Sequence, residues 1–162
     1  MSATSADSVP SLSDYTPLGV VSPDPGAMLA SLRAIGYSLP AAVADIVDNS
    51  ITAGAHHIRL TFYWDGAGSR VTFADDGHGM DRGGLIEAMR LGGRGPEEER
   101  SDDDLGRFGL GLKTASFSQC RRLTVVTRTG ATGAALEAAT WDLDHVATTG
   151  EWALLTPTAA AM

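Results

Sequence analysis

Hydrophobic positions along the 162-residue chain change period several times, and each change marks an element. Residues 1–25 are rich in Ser, Asp and Pro with little periodicity, which reads as a flexible arm. From Gly26 to Ile35, Leu29, Leu32 and Ile35 recur at helical spacing, and Gly36 follows as a stop signal. Pro40 stands where a first helical turn accepts proline. Val43, Ile46, Val47 and Ile51 then mark one face of a second helix, which Gly54 closes. The period then falls to two. Ile58, Leu60, Phe62 and Trp64 alternate, residues 65–69 turn, and Val71 and Phe73 alternate again, as in a hairpin. Asp75 to Met80 is a tight Gly-rich turn, and a helix is predicted from about Asp81 to Leu91 with Leu85, Ile86 and Met89 on its buried side. Gly92 to Asp104, Gly-rich and then heavily charged, reads as a mobile loop. Gly109 to Cys120 reads as helical. Leu123–Arg128 and Ala135–Leu143 read as strands around a turn at Thr129–Gly133, with Trp141 and Trp152 packed under the sheet. There is no internal repeat. This order predicts an α/β (α+β) two-layer sandwich.

Composition narrows the function classes. One domain with a single core suits this length, and such a chain buries roughly 70% of its unfolded surface without staples. Hydrophobic residues make up 43% and charged residues 20%, with a formal net charge of −8. An acidic chain repels phosphate backbones, so direct nucleic-acid binding by this chain alone is not expected. Phosphate of a small ligand is still admissible, because a local nest of N–H groups holds it inside an acidic protein. Cys120, the single cysteine, excludes an internal disulfide and reads as buried and inert. No apolar run approaches membrane-spanning length and the start lacks signal-peptide character, so the expected setting is the cytoplasm, without a membrane.

Three segments carry candidate chemistry. On the second helix, Asp45 and Asn49 of Asp45-Ile46-Val47-Asp48-Asn49 lie four apart on one face, with Ile46 and Val47 turned to the core. A carboxamide oxygen suits a magnesium ion that keeps most of its waters, and a carboxylate one turn earlier can hold an attacking water as general base. A solvated helix face is the bland alternative. Asp75-Asp76-Gly77-His78-Gly79-Met80 follows a strand. Its first carboxylate can accept a hydrogen bond from an adenine amino group, and its glycines let a flat base approach the backbone. An ordinary strand-end Asp-Gly turn is the alternative. In Gly106-Arg107-Phe108-Gly109-Leu110-Gly111-Leu112-Lys113, three glycines run into a helix N-terminus, where free N–H groups and the helix dipole favour phosphate. Lys113 in the first turn runs against that dipole and makes sense if an anion sits beside it. Walker spacing is absent, and the segment comes too late for a dinucleotide fingerprint.

In this order and separation, the three motifs resemble those of the GHKL ATPases, a superfamily of topoisomerase ATPase subunits, MutL mismatch-repair proteins, Hsp-type chaperones, histidine kinases and MORC proteins. The match covers roughly residues 26–128, and Gly109 to Ala115 looks most like the MORC and MORC-like bacterial branch. The resemblance implies a Bergerat fold, with a mixed, mostly antiparallel sheet, helices on one face and a mobile ATP lid. It implies an arm over 1–25 and an ATP-binding domain over 26–162, expected to be C-terminally shortened. It implies ATP and Mg2+ as ligands, with Asn49 on the metal, Asp75 on adenine, and Gly77, Gly79 and Met80 lining the base pocket. Gly106, Arg107, Phe108, Gly109, Leu110, Gly111, Leu112 and Lys113 would cover the phosphates. Asp45, as catalytic base, stands where hydrolysing members usually carry Glu. One methylene shorter, its carboxylate sits back by roughly 1 Å, a distance to which attack geometry is sensitive, so slow hydrolysis is expected.

Three functions are compatible with this reading: an ATP-driven conformational and dimerisation switch with an unknown protein client, in a DNA-related or defence system; a nucleotide-binding module without catalysis; and a small protein kinase. His56, His57 and His78 read as surface or cap histidines. The acidic runs at 97–99 and 102–104 read as solvated.

Overall fold

The computed structural model describes residues 11, 13, 15–92 and 111–158. Residues 15–24 have no regular secondary structure, and the first helix starts where Asp24 caps it. The Asp24 carboxylate accepts the Ala27 N–H at 2.7 Å and Pro25 occupies the first turn, giving α1 (Pro25–Arg33). Ser38 and Pro40 begin α2 (Leu39–Thr52) in the same way, and Gly54 follows it with φ +73. The alternating stretch forms β1 (Ile58–Tyr63) and β2 (Arg70–Asp75), paired antiparallel across a 3-10 turn at Gly66–Gly68. Asp81 caps α3 (Arg82–Met89) through Gly84 N–H at 2.8 Å. After α4 (Gly111–Gln119), β3 (Arg122–Thr127) and β4 (Glu137–Asp142) pair antiparallel. A final helix, α5 (Leu143–Thr149), follows β4 directly. Its cap is Asp142, which accepts the N–H groups of Asp144 and His145, and Gly150 ends it with φ +68.

Cross-strand pairs show which face is covered. Leu123 stands opposite Trp141 and Val125 opposite Ala139, so the four share one face of the β3–β4 ladder. That face meets Leu85 and Met89 of α3, Phe117 of α4, Leu29 of α1, and Leu143 and Val146 of α5, which together form the core. On the other face, Val126 is exposed while the hydroxyls of Thr124 and Thr140 bond each other at 2.9 Å. Leu155 adds a bridge to the outer edge of β4, with both Thr140–Leu155 hydrogen bonds formed. Helices on one face of an antiparallel sheet give the expected two-layer α/β architecture. The described strands form two separate ladders, β1–β2 and β3–β4, rather than one continuous sheet. In the β1–β2 ribbon, Ile58, Leu60, Phe62, Val71 and Phe73 share a face that lies outside the core cluster, and Phe62 and Val71 stay exposed.

Several sequence expectations need correction. Ile86 and Ile51 are exposed: Leu85 and Met89, four apart, take the inward stripe of α3, and the inward end of α2 is Ser50. The strand expected over Ala135–Leu143 stops at Asp142, because the carboxylate of Asp142 starts α5. Trp141 is buried and donates its indole N–H to the Met89 carbonyl at 2.9 Å, but Trp152 stands edge-on to it and is partly exposed. Cys120 is half-buried, and burial pushes its thiol above the usual range, as suits an inert cysteine. No helix among the described residues is long and apolar enough to cross a membrane.

Candidate functional site

The second helix is the part on which the three segments converge. Asn49 donates its amide to the Asp45 main-chain carbonyl at 2.8 Å, one turn back, which leaves the carboxamide oxygen as the available ligand atom. Ser50, the next residue, is 4% exposed and donates its hydroxyl to one oxygen of Asp75 at 3.0 Å. The other Asp75 oxygen accepts the Gly77 N–H at 3.0 Å. Asp75 is thus oriented by one donor on each oxygen, while each oxygen keeps a lone pair for a further donor.

The turn after β2 fits closely between two walls. At Gly77, an added Cβ would meet Ala53 Cβ at 2.8 Å and the Ala53 carbonyl oxygen at 2.9 Å, and His78 N–H donates to that same carbonyl at 2.9 Å. Gly79 has φ +64, and an added Cβ would lie 1.9 Å from the Arg128 carbonyl oxygen. Met80 N–H then donates to Thr127 Oγ1 at 2.9 Å. The turn is therefore held against the end of α2 on one side and the end of β3 on the other. Asp76 secures the approach: its carboxylate accepts the His56 and His57 N–H groups at 2.7 and 2.8 Å and meets His57 Nδ1 at 2.9 Å. The main-chain bond from His57 is the largest cause, ahead of its ring and of His56, of a carboxyl held well below the usual range.

Asp45 is half-buried, with one carboxylate oxygen 3.7 Å from where a Cβ on Gly111, the first residue of α4, would stand. The Asp45 side chain acts on the Tyr37 phenol: hydrogen bonding to Asp45, then burial, then the carboxylate's charge, hold the phenol above its ordinary range. Gly111 and Leu112 are half-buried. Lys113 is buried and donates Nζ to the Ala88 carbonyl at 2.9 Å; burial lowers its pKa, against the charge of Glu87. Gly106, Arg107, Phe108, Gly109 and Leu110 lie outside the described residues.

Asp45, Asn49, Asp75, Gly77 and Gly111 are thus gathered around α2, with Gly79 and Met80 on the β3 side of the same turn. A groove of about 320 Å3, crossed by the Arg82–Glu137 ion pair at 3.7 Å, adjoins this set through Met80 alone. Among the described residues, no three His, Cys, Asp or Glu side chains are placed to hold a metal. One neutral oxygen from Asn49 suits a cation carried in by a ligand's own phosphates better than a resident ion. Sequence reasoning missed Ser50, Tyr37, Asp76 and Thr127. The partners of Ser50, Asp76 and Thr127 lie 19 or more residues away, whereas Tyr37 is close in sequence to Asp45; the signals on offer were the places of Ser50 beside Asn49 and of Asp76 beside Asp75.

Residues 37–162 match the family model described as histidine kinase-, DNA gyrase B-, and HSP90-like ATPase. Among curated proteins, the chain is 31% identical over 87 residues to the ATPase morc-1 of Caenorhabditis elegans, covering 54% of this chain and 10% of that protein. It is 35% identical over 95 residues to the DNA mismatch repair protein MutL of Rhodospirillum rubrum, covering 57% of this chain and 15% of that protein. The matched region is therefore a small part of either relative.

Proposed function

The chain belongs to the histidine kinase-, DNA gyrase B- and HSP90-like family of ATP-binding domains, and we propose that it uses Mg–ATP as a conformational switch with slow hydrolysis. The observation that carries this is the convergence on α2: Ser50 bonded to Asp75, Ala53 packed on Gly77, and Asp45 beside Gly111. In this reading Asp75 accepts the adenine amino group, with Gly77, Gly79 and Met80 around the base. Asn49 gives one oxygen to the metal, which supplies charge neutralisation for the phosphates. The Gly-rich segment that runs into α4 at Gly111 and Leu112 is assigned to the triphosphate on its motif, and Asp45 orients the attacking water.

ATP seated between α2 and the start of α4 binds one arrangement of these helices better than the other, which is what drives a switch toward dimerisation. The likeness to morc-1 and to a mismatch repair protein supports a DNA-related setting, with any contact to nucleic acid made outside this acidic chain. A binding module without turnover is the second reading. The shortness of Asp45 favours it.

Calorimetric titration with AMP-PNP, with and without Mg2+, tests the site. Magnesium-dependent binding lost in Asn49→Ala is the expected result; no binding by folded wild type would overturn the reading. Asp45→Glu separates the two versions: a rise in released phosphate marks a slow ATPase, and no turnover in either form marks a binding module. Phosphate on a partner protein would mark a kinase.

A further inference from the structure

The chain has a single lysine among 12 Lys and Arg residues, and that lysine is Lys113. It lies in the first turn of α4, the wrong end of its own helix for a cation. An adjoining anionic ligand is one remedy for that mismatch. The fold supplies another.

The residue is 3% exposed, and its ammonium leaves α4 to donate to the Ala88 carbonyl in the last turn of α3. That turn carries the negative end of the α3 dipole together with the Glu87 carboxylate, which pairs with Arg90, the C-cap residue, at 2.9 Å and still acts to raise the lysine's pKa against burial. The next carbonyl, of Met89, takes the Trp141 indole N–H. Both carbonyls at the end of α3 are therefore met by donors from other elements. The far end of α4 is treated likewise: Arg33 of α1 donates to the carbonyls of Phe117 and Cys120, both at 2.5 Å. Hence α4 gives a cation to the C-terminal end of α3 and receives one at its own.

We propose that Lys113 is a strut that fixes the start of α4 to the end of α3, and that it is not a ligand of the nucleotide's phosphates. Two points of chemistry favour this. An ammonium is a compact point charge suited to a single carbonyl, whereas the planar fork of Arg suits phosphate; this chain uses Arg at every other cationic position. To reach a phosphate, Nζ would have to leave a carbonyl it already satisfies. As a strut, Lys113 is a positioning residue: it holds Gly111 and Leu112 beside Asp45. The inference rests on the nucleotide reading above but can fail separately from it.

The test compares wild type with Lys113→Gln, which removes the charge and leaves a shorter amide N–H donor on the Ala88 side. Each is titrated with adenosine and with AMP-PNP in Mg2+, and the ratio of the two Kd values is read. The strut predicts a ratio unchanged within about threefold, whereas loss of a charge-assisted phosphate bond lowers it by roughly tenfold or more. Amine acylation gives a second reading on wild type itself, since the only other amine is the chain start. A strut keeps the ε-amine protected by roughly a hundredfold over urea-unfolded chain before any nucleotide is added. A tenfold fall in the ratio, or an ε-amine that becomes protected only with AMP-PNP, overturns the proposal. If wild type binds neither ligand, the nucleotide reading fails and acylation still decides the strut.

Discussion

Substitution of Gly79 by Ala tests the seat of the Gly-rich turn most severely. At φ +64 an alanine pays about 1–2 kcal/mol for a left-handed backbone. The larger difficulty is steric. The new Cβ would stand 1.9 Å from the Arg128 carbonyl oxygen and 2.8 Å from its carbon, both backbone atoms, where contacts under 3.0 Å are essentially never seen. The turn and β3 must therefore part by at least 1.1 Å (3.0 − 1.9). Moving the turn that far pulls the Met80 N–H, now 2.9 Å from Thr127 Oγ1, beyond bonding range, which removes a further ~0.5–1.5 kcal/mol. The total is roughly 2–4 kcal/mol, or about 5–15 °C in melting temperature for a domain of this size. Because the displaced residues are those proposed to line the base, AMP-PNP affinity should fall at least about tenfold. Thermal melting and calorimetry on one preparation read both effects. Gly83→Ala is the control. It has no positive φ, its nearest neighbour is Asp81 Oδ1 at 3.5 Å, and better helix propensity should stabilise it by ~0.5–1 kcal/mol. A Gly79→Ala protein that melts within about 2 °C of wild type and binds AMP-PNP normally would refute this account of the turn.

Ser50→Ala removes one donor from Asp75 but leaves Gly77 N–H and solvent, so the loss is ~1 kcal/mol, or about 2–4 °C, with adenosine and AMP-PNP weakened together by roughly fivefold; unchanged adenosine affinity would sink the positioning role. Asp76 gives a pH signature. Its carboxyl is held below its unfolded value near 4, so its stabilisation is complete above that value and is lost as pH falls through it toward the folded value. Asp76→Asn should therefore lose less melting temperature than wild type between about pH 5 and 3, and parallel curves would contradict the clamp.

What could be read from the sequence is what local physics decides. The amphipathic face of α2, the alternation of β1 and β2, and Gly77 and Gly79 in one short turn each carry their reason within a few residues. Asp45 and Asn49 share a face because the helix repeat puts them there. The contacts that make a site of these segments are of another kind. Ser50 meets Asp75 and Thr127 meets Met80 across 25 and 47 residues, and nothing in either local sequence names the partner. The missed helix α5 is a different failure. Thr, His and Asp are middling helix formers, and the cap at Asp142 and the stop at Gly150 are the stronger signals. Lys113 belongs with the distant contacts: its Nζ donates to the Ala88 carbonyl at the end of α3, 25 residues away, a partner the local sequence does not name.

The separation of the two ladders bears on how affinity should be understood. β1 and β2 pair within 17 residues and contact chiefly each other, while the hydrophobic core lies under β3 and β4. Such a ribbon forms early and can open as its own cooperative unit while the core stays folded. The Gly-rich turn is the seam between the units, tied to α2 at Asp75 and His78 and to β3 at Met80. Under the proposed function, opening this seam would take the nucleotide site apart without unfolding the core, and apparent affinity would scale with the fraction of molecules whose ribbon is docked. Bound nucleotide, on the same reading, would raise that fraction by linkage and join the two units more firmly.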